Sequence, residues 1–139
     1  MKDGHCVSLV ERECPRTSAE ELPGMVKNVQ RQSGFKWEEL DGIAVSIGPG
    51  SFTGLRIGLS FSKGLAYSHN LPVVPVPTLA GMANNISSKS DSFRIALFSH
   101  RNLFYTHVFH RSEKFPSSDK KPVLWDWETL QSAVEKEKN

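Results

Sequence analysis

Along the chain, stretches with helical spacing of apolar residues alternate with short apolar or alternating runs, which predicts helices and strands in turn. His5 to Glu11 alternates, with Cys6, Ser8 and Val10 on one side and Val7 and Leu9 on the other, and predicts an early strand after the turn Asp3-Gly4. Ser18-Ala19-Glu20-Glu21 fits a capping box, and Leu22, Met25, Val26 and Val29 then recur at helical spacing up to the stop Ser33-Gly34. This predicts a first amphipathic helix over Glu20 to Ser33, with Pro23 in its opening turns. Trp37 to Leu40 predicts one further helical turn, and Gly42 to Gly48 a central strand covered on both faces.

A second helix is predicted from Ser51 or Phe52 to about Ser68. Gly54, Gly58, Ser62 and Ala66 fall on it at four-residue intervals and line one stripe with small residues. Ile57, Phe61 and Leu65 form an adjacent apolar stripe. Val73 to Pro77 reads as a strand whose prolines place it at a sheet edge, and Thr78 as the cap of a short helix. The polar stretch Asn84 to Ser92 predicts an interlobe linker. Phe93 to Phe98 and Leu103 to Phe109 predict a hairpin around Ser99-His100-Arg101-Asn102. Pro122 to Trp127 predicts a strand with Trp125 and Trp127 on one face. Glu128 to Lys138 predicts a terminal helix with Leu130 and Val134 on its buried side.

The joint between the central strand and the second helix carries the strongest chemical signal. Gly48, Pro49, Gly50 and Ser51 form a glycine-rich turn that directs free N–H groups and a helix dipole at one point, the geometry of an anion site. The same composition also permits a tight turn. A nucleotide-hydrolysing P-loop would follow its glycines with lysine and a hydroxyl residue, whereas Gly54 is followed by Leu55 and Arg56. The spacing G-x-G-x-x-G of a dinucleotide site is missed by one residue, and a nucleophile elbow lacks its first glycine. Ser51 therefore reads as an N-cap. The stripe's two glycines, Gly54 and Gly58, at about 1 kcal/mol each relative to alanine call for a compensating contact, and close approach by another backbone supplies one. That contact is either packing within the chain or an interface between chains.

Composition adds bounds. The 139 residues suffice for one ordinary domain or two small lobes. A formal charge of +2 from 17 basic and 15 acidic residues is far from the clustered basicity of an autonomous nucleic-acid binder. Cys6 and Cys14 suit free thiols in a reducing cytosol. No apolar run approaches the roughly 20 residues of a membrane span, so a soluble, cytoplasmic protein is expected. The five histidines offer no ligand-like spacing with acids, and no metal is expected.

From Ile47 to Asn84 the run Gly48-Pro-Gly-Ser-Phe-Thr-Gly-Leu-Arg-Ile-Gly-Leu, then Lys63-Gly-Leu-Ala and Val74-Pro-Val-Pro-Thr-Leu-Ala-Gly-Met-Ala, resembles the TsaB family, formerly called YeaZ. That family is the bacterial partner of the enzyme that makes N6-threonylcarbamoyladenosine at position 37 of tRNAs. The resemblance implies an α/β, actin-like ATPase or ribonuclease H-like fold, a mixed sheet with packed helices and a shortened second lobe. It places an N-terminal lobe at 1–86 and a partial second lobe at 87–139. It implies a non-catalytic scaffold with no cofactor that binds a TsaD-like catalytic subunit and pairs with itself when alone. A TsaE-like ATPase is then reached indirectly, and tRNA only through the complex. The implied partner surface lies on the two helices Glu20 to Ser33 and Phe52 to Ser68, at Leu22, Met25, Val29, Gly54, Leu55, Gly58 and Ser62.

Two departures from the family pattern stand out. The family's opening apolar strand is absent, so the sheet is expected to lack a strand, and the usual Asp-Ala-Arg of the second lobe appears as Phe98-Ser99-His100-Arg101. Two other readings stay open: a nucleotide-binding phosphotransferase of the actin-like class, suggested by the glycine turn, and a glycoprotease-like peptidase, for which no triad or metal set is visible.

Overall fold

The computed structural model describes residues 1–13, 18–87, 90–113 and 115–137. In chain order it shows α1 (Ser18–Ser33), a 3-10 turn (Trp37–Glu39), β1 (Ile43–Gly48), α2 (Phe52–Ser68), β2 (Val73–Pro77) and α3 (Thr78–Asn84). The hairpin β3 (Ser92–His100) and β4 (Leu103–His110) follows, then β5 (Val123–Asp126) and α4 (Trp127–Glu137). The chain divides into two compact units, one of residues 1–46 and 52–75, the other of residues 47–51 and 76–139.

In the first unit, α1 packs against α2. Ser33 Oγ donates to the Val29 carbonyl at 2.6 Å, and the Gly34 N–H closes the last turn of α1 on the Gln30 carbonyl at 2.8 Å. Pro23 lies in the second turn of α1, where its missing N–H forgoes one bond of the helical ladder. Glu21 accepts from Arg12 Nη1 at 2.9 Å, and the Ser18 side chain of the expected capping box lies outside the described residues. At the other end of α2, Asn70 takes the left-handed conformation (φ 54°) and the Leu71 N–H reaches back to the Ala66 carbonyl at 2.8 Å, a Schellman-type stop. The Trp37 ring stacks on His69 at 4.2 Å and meets Phe35 edge-on at 5.2 Å, which ties the loop after α1 to the end of α2.

β1 and β2 form a two-stranded sheet. Gly42 is required just before it: a Cβ there would stand 3.1 Å from the Pro72 carbonyl oxygen, which accepts the Ile43 N–H at 2.9 Å. Two expectations fail in this unit. Residues 6–13 form no strand, because alternation makes a strand only where a neighbouring strand offers its edge. β1 is not covered on both faces: Ala44, Ser46 and Ile47 are exposed. An apolar run reads the same whether or not anything covers it, and among the described residues β1 pairs only with β2. The prolines of β2 do sit on an edge strand, as expected. Cys6 is an exposed free thiol, and Cys14 lies outside the described residues.

The second unit is a three-stranded antiparallel sheet in the order β3-β4-β5. Ile95 opposes His107 and Phe98 opposes Phe104, with an irregularity before His100. Strand alternation sends Ile95 and Phe109 to one face, where they meet Leu79 and Ala83 of α3 in the buried core. Thr78, expected as the cap of α3, is its first helical residue; Pro77, extended at φ −61° and ψ 128°, takes the cap position without a side-chain bond.

The opposite face holds Arg94. Its guanidinium donates to Thr106 Oγ1 at 3.2 Å and to the carboxylate of Glu137 on α4, and it lies 4.6 Å from the Trp125 ring. Thr106 is fully buried, so this bond satisfies a hydroxyl that water cannot reach. Leu130 of α4 is buried as expected, but Val134 is not, and Trp127 opens α4 with half its surface exposed instead of sharing a strand face with Trp125. Helical rotation from Leu130 carries position 134 partly off the buried side.

Candidate functional site

The glycine turn is built as its composition predicts. Gly48 ends β1, buried at φ 100°, a conformation that a side chain would strain. The Gly48–Pro49 peptide is cis, Pro49 and Gly50 are half-buried, and Ser51 stands immediately before the first residue of α2, the place an N-cap takes. The cation of the opening turn, Arg56, lies over the ring of Phe52 at 5.2 Å, so it lines the helix's own flank.

At 100° per residue, α2 presents two distinct sides. Leu55, Ile57, Gly58, Leu59, Phe61, Ser62 and Leu65 are half-buried and Ala66 is buried at 2% exposure. Phe52, Thr53, Arg56, Ser60, Lys63, Gly64 and Tyr67 occupy one continuous solvated arc. The residues expected at a partner surface therefore divide: Leu55, Gly58 and Ser62 lie on the half-buried side, and Gly54 is exposed. On α1, Leu22, Met25 and Val29 lie on the half-buried side, while Glu20, Pro23, Lys27 and Arg31 face solvent. The structure thus brings α1 and α2 together through the arcs that hold most of the expected residues, and leaves those arcs only partly covered.

Gly58 is informative. A Cβ added there meets no atom within 4 Å, so nothing within the described chain requires glycine at this position. The same open space stands over the helical glycines Gly24 and Gly64.

Four further features were not legible in the sequence. The Trp37–His69 stack joins residues 32 apart, and no local signal announces it. A cavity of about 660 Å³ opens between the N-terminal segment and the end of α1, with Ser8, Ser33, Phe35, Glu39 and Asp41 among its lining residues. In the second unit, Asp126 Oδ1 accepts the Thr129 N–H at 2.8 Å and caps α4. That bond, together with the Thr129 hydroxyl, holds the Asp126 carboxyl below the ordinary aspartate range. His107 Nε2 lies 2.8 Å from the Lys120 carbonyl oxygen, which only accepts, so the proton sits on Nε2. The solvated arc of α2 had a readable signal, since Phe52, Arg56, Lys63 and Tyr67 recur at helical spacing.

Comparison with known proteins follows the same segments. A family model described as TsaD, tRNA N6-adenosine threonylcarbamoyltransferase, matches residues 10–105. The tRNA threonylcarbamoyladenosine biosynthesis protein TsaB of Escherichia coli (strain K12) is 37% identical over 82 residues, 59% of this chain and 36% of the relative. The protein of the same name from Buchnera aphidicola is 28% identical over 137 residues, 97% of this chain and 58% of the relative. A crystal structure from Pseudomonas aeruginosa, of an uncharacterized protein with similarity to peptidase YEAZ, superposes with a TM-score of 0.73 at 25% identity, over 81% of this chain and 53% of the other. The chain spans roughly a third to three fifths of the length of these relatives. Their likeness shows the actin-like, ribonuclease H-like α/β fold expected from the sequence. Among the described residues no helix is long and apolar enough to cross a membrane.

Proposed function

The chain belongs to the TsaD family of tRNA N6-adenosine threonylcarbamoyltransferases, on its TsaB (YeaZ) side, and from this premise we propose that it is a non-catalytic scaffold subunit for threonylcarbamoyladenosine modification of tRNA. Its partner is a TsaD-like catalytic subunit, and in the absence of that subunit it pairs with itself. A TsaE-like ATPase joins only through the assembly, which works in the cytoplasm, and the protein itself needs no cofactor. The family's lobes are placed at 1–86 and 87–139.

The observation that carries this reading is the partly covered pair α1 and α2. Leu22, Met25, Val29 and Leu55 are only half-buried in the isolated chain. Full burial of such a side chain is worth roughly 1.5–3 kcal/mol, so each retains at most about a third of that for a partner to collect. Gly58, with open space above it, lets a partner helix approach closely. Binding at these arcs would place the apolar sides of both helices against the partner and leave the solvated arc of α2 outside.

The test is direct. Mixed with a purified TsaD-like subunit, the protein is expected to elute from a sizing column as a heterodimer; two unshifted peaks at micromolar concentration would remove the scaffold reading. A heat signal on titration with ATP and magnesium, without such association, would favour a nucleotide-binding phosphotransferase instead.

A further inference from the structure

We propose that the Trp37–His69 stack is a latch that holds α1 in place along α2, and that its closure sets the fraction of the protein whose two helices are assembled for docking. The docking consequence rests on the scaffold reading above; the latch itself does not. Each ring stands on a platform that its own backbone fixes. The His69 N–H donates into the last turn of α2, to the Leu65 carbonyl at 3.1 Å, just before the left-handed stop at Asn70. Trp37 opens the 3-10 turn, which Lys36 and Glu39 staple reciprocally. The Glu39 N–H donates to the Lys36 carbonyl at 3.0 Å, and the Lys36 N–H to Glu39 Oε2 at 2.9 Å. Between these platforms the two rings lie nearly parallel, at 10° and 4.2 Å, and Phe35 backs Trp37 edge-on at 89°.

Little else fixes the end of α1. The 3-10 turn contains no buried residue, and among the described residues Ala66 is the only fully buried apolar side chain of the first unit. The cavity of about 660 Å³ reaches Val29, Ser33 and Phe35, so packing is missing beside the last turn of α1. Every other ring pair among the described residues lies in the second unit. A close-packed core would set the alignment of two helices by itself; here one column of rings takes that part. An aromatic pair favours its closed arrangement by about two- to tenfold beyond the burial of its area. A partner that needs both helices in place binds in proportion to the closed fraction, so loss of the ring contact weakens docking by no more than that factor.

Amide hydrogen exchange on the isolated full-length protein reads the latch directly. In His69→Leu, which keeps an apolar side chain but no ring, amides in the second half of α1 are expected to exchange about two- to tenfold faster. Those of β3 and β4 should keep their wild-type rates. His69→Phe retains a flat ring against Trp37 and is expected to restore slow exchange. Trp37→Leu should match His69→Leu, and the double variant should exchange no faster than either, because one contact cannot be lost twice. Unchanged α1 rates in His69→Leu overturn the proposal, as do a failure of His69→Phe to rescue or additive effects in the double variant. If Trp37→Leu does not fold, the two His69 variants still decide it.

The same variants, titrated with a purified TsaD-like subunit, read the consequence for docking. His69→Leu is expected to bind more weakly by up to about tenfold, and His69→Phe as the wild type does. A loss far beyond tenfold would put His69 inside the interface itself and overturn the latch as the cause. Unchanged affinity alongside faster α1 exchange would overturn its part in docking. Absence of association by the wild type removes the scaffold reading alone, and the exchange measurement then decides the latch.

Discussion

Gly58 separates folding from docking, because the two make opposite demands on it. It is the seventh of 17 residues in α2, well inside the helix, where glycine costs about 1 kcal/mol relative to alanine. An added Cβ meets no atom within 4 Å, so alanine there brings neither a clash nor a new contact. The change in stability is then the propensity difference alone, about 1 kcal/mol in favour of the variant, partly through a less disordered unfolded chain. For a unit of this size that raises the melting temperature by roughly 4–8 °C.

If glycine is kept so that a partner backbone can approach, the same methyl stands in that partner's path. Gly58→Ala is therefore expected to melt higher and to bind a TsaD-like subunit more weakly, and Gly58→Leu to bind at least tenfold more weakly while remaining folded. Calorimetry on the isolated variants and titration against the partner read the two effects independently. A lower melting temperature for Gly58→Ala would show that the space is filled within the chain. A higher one with unchanged affinity would show that the glycine serves no docking contact, and either result refutes the reasoning.

Gly42 is the opposite case: a Cβ there stands 3.1 Å from backbone oxygen, so Gly42→Ala is expected to cost roughly 1–3 kcal/mol in a urea titration. Arg94→Met should destabilise the second unit by about 2–4 kcal/mol, because it strands the buried Thr106 hydroxyl and removes a cation from the Trp125 ring. A double-mutant cycle with Glu137→Gln should recover no more than about 1 kcal/mol of coupling, since Glu137 is half exposed. Asp126 has a depressed folded pKa, so its contribution to α4 is present above the ordinary aspartate range and is lost as pH falls through the depressed value. Asp126→Asn keeps the cap but not the charge, and its helical circular dichroism should change less than that of the wild type when the pH is lowered from the ordinary aspartate range through the depressed value.

How much of this was visible beforehand depends on how local each signal is. α2 and β2 were readable almost to the residue, because a glycine turn, a proline and an Asn-Leu-Pro stop mark their ends in sequence. The hairpin β3–β4 was equally plain. His5 to Glu11 failed for a different reason: its alternation was real, but no strand lies beside it. β1 was located correctly and its coverage misjudged, since burial is decided by what packs on a strand and not by the strand. Trp127 was assigned to the wrong surroundings by a one-residue error in where β5 gives way to α4, and Val134 by the rotation that carries it partly off the Leu130 side. At the candidate site the helices and small-residue stripe were legible, but which arc faces water was settled only once α1 was seen to pack on α2.

The buried apolar side chains are divided unequally between the two compact units. Leu79, Ala83, Ile95, Phe109 and Leu130 belong to the second, and among the described residues only Ala66 belongs to the first. Local opening follows such differences, so backbone amides of α1 and α2 should exchange with solvent far sooner than those of β3 and β4. If the proposed partner binds there, the element it meets is also the least self-sufficient foldon among the described residues; occupancy of its apolar arcs then removes the open states by mass action, and the persistence of the protein follows how much partner is present to hold it.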